Sequence, residues 1–541
     1  MKRTSACLGP REVSSQQSAP SAAALELKLR NSLLQKRSNN NTSTPTFTKT
    51  FQTSKKLTLS VPESPQSFRQ PIHFSTDPLL LEDKHWSQKS LTEMSERDWR
   101  ILREDFLIKV KGNVPHPARN WSEMNIDPRL ITLLHTRGFK TPTPVQMQAV
   151  PVALDINSND LVSIAKTGSG KTLAYLLPAF QHIFLRPPLT NLTSDGGPFV
   201  LILAPTRELA VQIYDEAKLL ADDVCIRVNC LIGGQSIDNQ CNQMKGGVEL
   251  VVGTPGRLKD ALTRGLFSLA NCDYLILDEA DKMIAMGFID QVKTILSYIP
   301  CSNTATFEFG GSRDYDVLPR VRYRKTLMFS ATFPTSLEDI VTSMLRNPVF
   351  LAVGQVGVVS DTITQTIIWT NNDSEKRRKL IDLLRDYGTR RTMVFVNTKS
   401  STDSLAKFIK QQGLYAVPIH GGKSQDQREG AMINFKDNKS GILVTTDLAG
   451  RGLDIPNVEL IINYELPQTI DDYVHRLGRT GRAGKSGQAF SLIGHEDSHL
   501  FYELRKMLLE CEQKVPLELE NHDSSHVACS TVTKSKLFTV T

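Results

Sequence analysis

The sequence predicts an α/β protein of two tandem domains, each built on a parallel sheet. Short apolar runs closed by polar or glycine-rich turns alternate with helical patterns from "DLVSIAKTGSGKT" to "KTLMFSAT". The same alternation restarts at "RTMVFVNTKS" and continues to "GQAFSLIGHED", after a stretch of linker composition, "VGQVGVVSDTITQ". Continuous apolar strands that alternate with helices are typical of parallel sheets covered on both faces.

The composition predicts a soluble protein of the cytosol or the nucleus. Of the 541 residues, 40% are hydrophobic and 22% are charged, and no apolar run approaches the ~20 residues of a membrane-spanning helix. No apolar core of a secretory signal follows the first basic residues. The eight cysteines are scattered without a C-x-x-C pair, which favours reduced thiols over a zinc or disulfide site.

The positive charge is concentrated in the leading segment. Residues 1–60 hold ten Lys or Arg and two Asp or Glu, so a local charge of +8 leaves −1 for the rest of a chain with net charge +7. A folded part without net positive charge would bind nucleic acid through a few positioned groups and backbone amides. The leading segment is rich in Ser, Thr, Asn, Gln and Pro and is expected to be disordered; a nuclear address, a loose RNA contact and a plain solvated tail all remain open for it.

The predicted segments are a basic, Ser/Thr-rich tail (1–85), an N-terminal flank (86–120), a first domain (121–350), a second domain (351–515) and a polar C-terminal tail (516–541).

The first predicted element of the folded part is a helix in "IDPRLITLLHTRG". Asp127 is a favourable N-cap, Pro128 suits the first turn, and Gly138 ends the helix because glycine adopts the left-handed conformation of a C-cap at little cost.

The stretch "AKTGSGKT" nearly matches a phosphate-binding loop, with Ala165 in place of the first glycine of G-x-x-x-x-G-K-[ST]. It follows an apolar strand and opens a helix, which is the context that the motif requires. Backbone N–H groups would surround a β-phosphate, Lys171 would reach the β- and γ-oxygens, and the Thr172 hydroxyl would hold Mg²⁺. The other residues of the loop predicted to bind the nucleotide are Lys166, Thr167, Gly168, Ser169 and Gly170.

A carboxylate pair follows the apolar strand of "YLILDEAD". Asp278 is placed to coordinate Mg²⁺ through water, and Glu279 is placed to polarise the attacking water. An acidic helix start is the alternative reading of the same letters, but the phosphate loop upstream favours catalysis.

Together with "SAT" (Ser330, Ala331, Thr332) and "HRLGRTGR" (475–482), these motifs resemble those of the DEAD-box ATP-dependent RNA helicases, in the expected order from about residue 121 to about residue 510. The resemblance implies two RecA-like domains forming a helicase core, with ATP and Mg²⁺ as cofactors. It also implies an RNA-stimulated ATPase that unwinds duplexes locally and without processivity.

The same resemblance assigns further residues to the ATP site. In "GFKTPTPVQ", Phe139 would stack on the adenine and Gln146 would bond its edge, while Trp121 stands where the family usually has phenylalanine. In "RGLDI", Gly452 and Asp454 would lie near the ribose and phosphates. Catalytic arginines Arg479 and Arg482 would cross to the γ-phosphate, with Arg482 as the arginine finger. The residues that would couple hydrolysis to unwinding are Ser330, Ala331, Thr332 and His475.

RNA contacts also follow from the resemblance. In the first domain they are Pro205, Thr206, Arg207, Gly233, Gly234, Thr254, Pro255, Gly256 and Arg257. In the second domain they are Asn397, Thr398, Gln425, Arg428, Thr445 and Thr446. None of these groups would read base edges, so binding would be sequence-independent, with 2′-hydroxyl contacts favouring RNA over DNA. Half of the ATP site on each domain implies that hydrolysis needs closure and that RNA bridging both domains favours it.

The flank "ERDWRILREDFLIKVKGNVPHPARNW" and an insertion between the DEAD and SAT motifs resemble the spliceosomal, tri-snRNP-associated members of the family, which act at the five-prime splice site. This implies a nuclear monomeric core that meets snRNP proteins through its N-terminal region. Two departures are the absence of Arg-Ser repeats and Glu465 in place of the usual aspartate. Ribosome assembly, mRNA remodelling and an ATP-locked RNA clamp remain alternatives, whereas transport and chaperone ATPases lack the adenine-side glutamine and "HRLGRTGR".

Overall fold

The computed structural model describes residues 84–155, 159–190, 194–299, 323–354, 362–388, 390–437, 441–447, 458–481 and 486–526. Several predictions fall outside these ranges: the leading tail up to residue 83, most of the insertion (300–322), most of the linker (355–361), and the site residues Gly452, Asp454 and Arg482. Within the described ranges, no helix combines the length and the apolar character needed to cross a membrane.

The first domain is an α/β layer structure. Its strands are β1 (Ile108–Lys111), β2 (Leu161–Ala165), β3 (Val200–Leu203), β4 (Val228–Leu231), β5 (Leu250–Gly253), β6 (Tyr274–Leu277), β7 (Lys325–Ser330) and β8 (Val349–Val353). Its helices are α1 (Glu96–Asp105), α2 (Pro128–Thr136), α3 (Pro144–Leu154), α4 (Lys171–Phe184), α5 (Arg207–Ala221), α6 (Ile237–Asn242), α7 (Pro255–Thr263), α8 (Ala280–Ala285), α9 (Ile289–Ser297) and α10 (Thr335–Met344). The sheet order is β1-β8-β2-β7-β6-β3-β5-β4, and the only antiparallel pairing among the described strands is β1 with β8.

The second domain repeats this architecture. Its strands are β9 (Ile363–Trp369), β10 (Thr392–Val396), β11 (Ala416–Ile419), β12 (Ile442–Thr446), β13 (Leu460–Asn463) and β14 (Gly487–Ile493). Its helices are α11 (Asp373–Asp386), α12 (Lys399–Gln411), α13 (Gln425–Lys436), α14 (Ile470–Leu477), α15 (Phe501–Glu510) and α16 (Leu517–Glu520). The all-parallel order β9-β14-β13-β10-β12-β11 repeats β2-β7-β6-β3-β5-β4 of the first sheet.

Each sheet has an apolar cluster on both faces. Val200 and Ile202 point into one cluster of the first domain, while Leu201 and Leu203 point into the other. Successive side chains of a strand point to opposite faces, so a strand buried on both faces must be apolar throughout. The predicted fold class, two tandem parallel-sheet α/β domains, is therefore confirmed.

The predicted helix start at Asp127 is confirmed in detail. The Asp127 carboxylate accepts a hydrogen bond from Arg129 N, Pro128 is the first helical residue, and Gly138 has φ +82° just beyond the end of α2.

Two segments that the composition assigned to regions outside the two domains pack against those domains. The flank supplies β1, which pairs with β8 from Ile108 opposite Val353 to Lys111 opposite Phe350. Beyond residue 515, α16 packs on the second domain because Leu519 is fully buried in its core. A short 3₁₀ helix, Asp523–Ser525, follows α16.

Candidate active site

The phosphate-loop motif forms the turn between β2 and α4. Gly168 and Gly170 have φ +77° and +91°, a backbone conformation that glycine adopts without steric cost. The Lys171 ammonium is buried and donates to the carbonyls of Ala165 at 2.8 Å and Ser330 at 3.2 Å. The loop and the SAT motif are thus joined by the lysine predicted to reach the phosphates.

The residues predicted to contact adenine are connected to this turn. The Gln146 amide donates to Gly170 O at 3.0 Å and its carbonyl accepts from Thr143 N at 2.8 Å. The buried Trp121 indole donates to Phe139 O at 2.9 Å, and Phe139 as a residue is 41% exposed. The tryptophan is therefore held against the segment that contains Phe139.

Asp278 directly follows β6. Its carboxylate accepts hydrogen bonds from Tyr175 Oη at 3.0 Å and from Glu279 N at 2.9 Å. Burial raises the pKa of Asp278 to about 6; the Glu279 carboxylate acts in the same direction and the Lys171 ammonium in the opposite one. Thr172 interacts with the Tyr175 hydroxyl, so this tyrosine brings both predicted Mg²⁺ ligands together.

Glu279 stands at a strained turn. It has φ +50° and ψ +50°, a left-handed conformation that is uncommon for residues other than glycine and often marks functional sites. Its carboxylate lies 2.8 Å from the buried Lys282 ammonium. Burial alone would raise the pKa of Glu279, but the charges of Lys282 and Arg479 lower it to about 2. Glu279 is therefore ionised at neutral pH.

Asp281 joins three motifs. Its carboxylate accepts from Thr332 Oγ1 at 2.7 Å and Thr332 N at 3.2 Å, and it lies 3.3 Å from His475 Nε2 in the second domain. Burial lowers the pKa of His475 to about 4, so the neutral ring donates Nε2–H to the carboxylate. These bonds hold the pKa of Asp281 far below its usual range despite burial.

The second domain brings further groups close to the phosphate loop and Glu279. The Thr167 hydroxyl donates to Gly478 O at 3.4 Å, and the buried Arg479 is close enough to affect Glu279. On α14, burial and the neighbouring carboxylates of Asp281 and Glu503 raise the pKa of Asp471 to about 6.

The predicted RNA contacts of the first domain form one cluster. The Arg207 guanidinium packs on Gly233 and Gly234, where an added Cβ would lie 2.7 Å from its nitrogens. Arg257 donates to Gln235 O at 2.8 Å, just beyond these glycines. Around them, Thr206 caps α5, Pro205 precedes it, and Thr254, Pro255 and Gly256 form the start of α7.

The predicted RNA contacts of the second domain end its strands or begin its helices. Thr398 caps α12 through Ser401 N, Gln425 begins α13, and Thr445 and Thr446 end β12. Arg428 forms an ion pair with Glu208 of the first domain.

Sequence reasoning missed Arg476, which anchors the second domain. Its guanidinium is 1% exposed and donates to Asp447 at 2.6 and 2.7 Å, to Asn397 Oδ1 at 2.8 Å and to Glu465 O at 2.5 Å. Its place in "HRLGR" was the available signal, but its partners lie 11 to 79 residues away in the chain.

Comparison with known proteins bears on both domains. Residues 143–340 match the family model described as DEAD/DEAH box helicase, and residues 375–484 match the helicase conserved C-terminal domain. The pre-mRNA-splicing ATP-dependent RNA helicase prp28 of Aspergillus terreus is 41% identical over 462 residues, which cover 82% of this chain and 58% of the relative. The chain spans about three-fifths of the length of the curated relatives that it matches.

Two solved structures are also similar. The yeast DEAD-box splicing factor Prp28 is 36% identical, with 84% of this chain and 100% of that chain covered and a TM-score of 0.47. Dbp5 of S. cerevisiae bound to RNA and ADP BeF3 is 25% identical, with 74% of this chain and 95% of that chain covered and a TM-score of 0.61.

Proposed function

Because the chain belongs to the DEAD-box helicase family, we propose that it is an ATP-dependent RNA helicase whose RNA-stimulated ATP hydrolysis opens short duplexes or RNA–protein contacts in pre-mRNA splicing. The observation that carries the proposal is the approach of His475, in the second domain, to Asp281 of the DEAD motif at 3.3 Å. A hydrolytic site divided between two domains acts only when they meet, and RNA that spans both can promote the meeting.

The residues of the cradle fit a nucleotide and Mg²⁺. Gly170 carries no Cβ where one would lie 2.6 Å from Gln146 Nε2, and the Ser169 and Ser330 hydroxyls are buried without a hydrogen-bond partner among the described residues. Backbone amides of the loop and Lys171 would hold phosphates. Phe139 and Gln146 would hold the adenine.

Thr172 and Asp278 would hold Mg²⁺, which neutralises charge on the phosphate oxygens when bound. Among the described residues, no three His, Cys, Asp or Glu side chains form a metal-binding group. Nucleotide-bound Mg²⁺ needs only one or two carboxylates besides phosphate and water. The Asp278 carboxylate, with the Thr172 hydroxyl, is therefore sufficient.

Glu279 would orient the attacking water. It is ionised at neutral pH and can therefore accept a hydrogen bond from water, and its Oε2 is buried without a hydrogen-bond partner among the described residues. Arg479 supplies positive charge beside it. Arg482, outside the described residues, would act as the arginine finger, with a contribution of about 10³–10⁵ in rate.

RNA would bind through its backbone. Guanidinium groups and glycine-rich turns suit phosphate contacts, and the Arg207 and Arg257 cluster provides both. The similarity to Dbp5 bound to RNA and ADP BeF3 supports the interpretation that the two domains stand in a closed arrangement able to bind both ligands.

The splicing assignment is supported by the relatives named as splicing helicases. Nuclear location and spliceosomal snRNP proteins as partners follow from it. Co-purification of spliceosomal snRNAs with the full chain tests this part, and enrichment of ribosomal RNA precursors instead would contradict it.

The activity itself is tested by steady-state ATPase rates with and without single-stranded RNA. Wild type is compared with Glu279→Gln and with Glu510→Gln, a matched control on the exposed face of α15. We expect RNA to stimulate wild type and the control strongly and the Glu279 variant hardly at all. An ATPase rate that ignores RNA would contradict the proposal.

A further inference from the structure

The predicted RNA contact at the end of β10 has its donors occupied by the protein itself. Asn397 N donates to the Glu465 carboxylate at 2.6 Å, and Asn397 Nδ2 donates to Leu466 O at 2.7 Å. The neighbouring Thr398 hydroxyl donates to Ser401 Oγ at 2.8 Å. Asn397 is nevertheless exposed, so its backbone amide lies where an external anion could reach it.

The position of Glu465 follows from the sheet. β10 and β13 are parallel neighbours, with Phe395 opposite Asn463, so their carboxyl ends lie side by side. The backbone around Glu465 is fixed, because its N–H donates to Phe395 O at 3.3 Å and its carbonyl accepts from Arg476. Only the side chain of Glu465 is free to change partners.

The Glu465 side chain has room to leave. It lines a cavity of about 360 Å³ at the carboxyl edge of the second sheet, together with Asn397 and Lys376. The buried Lys376 ammonium on its wall lies 2.9 Å from the Glu496 carboxylate and 3.9 Å from that of Asp497.

We propose that Glu465 is an affinity-determining residue, whose carboxylate competes with an RNA phosphate for the Asn397 amide. A carboxylate and a phosphate accept hydrogen bonds from the same N–H groups, and both carry negative charge. RNA that contacts this amide must first displace Glu465. The second domain therefore holds RNA less tightly than its donors would allow. The inference rests on the proposed RNA-binding function.

The test compares dissociation constants for single-stranded RNA, at fixed salt with the non-hydrolysable ATP analogue AMP-PNP, for the full-length chain. Glu465→Gln weakens the competing acceptor, and Glu465→Asp keeps the charge but shortens the side chain by about 1.5 Å. Glu496→Gln removes a charge from the same cavity without touching Asn397. We expect both Glu465 variants to bind RNA about three- to tenfold more tightly, and Glu496→Gln to stay within twofold of wild type.

The pattern separates competition from other effects. A disrupted fold weakens binding, so tighter binding is not a consequence of structural damage. Tighter binding by Glu465→Gln alone, with Glu465→Asp equal to wild type, would mean a general charge effect and would overturn the inference. Unchanged or weaker binding by both variants beside a wild type that binds RNA would overturn the inference alone. A wild type that binds no RNA under any nucleotide would overturn the proposed function as well.

Discussion

Replacement of His475 by alanine tests the contact between the two domains. The imidazole donates to the ionised Asp281 carboxylate at 3.3 Å, and both side chains are almost fully buried. A hydrogen bond to a charged group contributes about 1.5–3 kcal/mol. The distance is long, so the lower figure applies, and about 1.4 kcal/mol corresponds to a tenfold change in an equilibrium constant. His475→Ala is therefore expected to lower the closing equilibrium about tenfold.

The remainder of the Asp281 site survives this change, because both hydrogen bonds from Thr332 come from the first domain. The assay is RNA affinity by fluorescence anisotropy, with AMP-PNP and separately with ADP. Affinity should fall about tenfold with AMP-PNP and hardly at all with ADP. His499→Ala, an exposed histidine of the same domain, is the control. Binding within twofold of wild type with AMP-PNP, or an equal loss with ADP, would refute the reasoning.

Four other changes have defined outcomes. Glu279→Gln should abolish ATP turnover while ATP and RNA binding persist, and appreciable hydrolysis in a single-turnover assay would contradict its role. Gly170→Ala forces a Cβ to 2.6 Å from Gln146 Nε2 at φ +91°, so KM for ATP should rise; an unchanged KM would count against the observed cradle. Asp471→Asn should favour closure at pH 8, because the raised pKa of about 6 means that burial opposes the ionised carboxylate. The advantage should shrink as the pH falls from about 6 towards the ordinary pKa of 3.8, and RNA affinity measured across this range checks it. Leu519→Ala should lower the free energy of unfolding by about 2–5 kcal/mol in urea titration, since the side chain is fully buried, and a loss below ~0.5 kcal/mol would contradict the packing of α16.

The fold was predictable because its signals are local. Each buried strand is a short apolar run, and the Asp127–Pro128 pair predicts the start of α2. The polar composition of the C-terminal segment was misleading, because the acidic residues of α16 flank its one buried residue, Leu519. An anchor of this kind depends on a pocket built by residues far away in the chain, and composition cannot report it.

Part of the candidate site was likewise predictable from the sequence, and part was not. Motif spacing places Lys171 and Asp278 next to the ends of β2 and β6, and parallel strands bring those ends to one edge of the sheet. The pairing of Asn397 with Glu465 and the burial of Arg476 depend on which strands are neighbours in the second sheet. Strand order is a tertiary property, so periodicity does not contain it.

The distribution of the apolar clusters has a consequence for the thermodynamics of domain opening and closing. None of the apolar clusters formed by the described residues contains residues of both domains. The contacts between the domains at Thr167, Asp281 and Arg428 are polar. Separation of the domains thus wets little hydrocarbon, and heat capacity changes mainly with apolar exposure. Opening and closing should therefore carry a small heat-capacity change. A van't Hoff plot of the closing equilibrium would then be nearly straight, with its slope set by the enthalpy of the polar contacts between the domains.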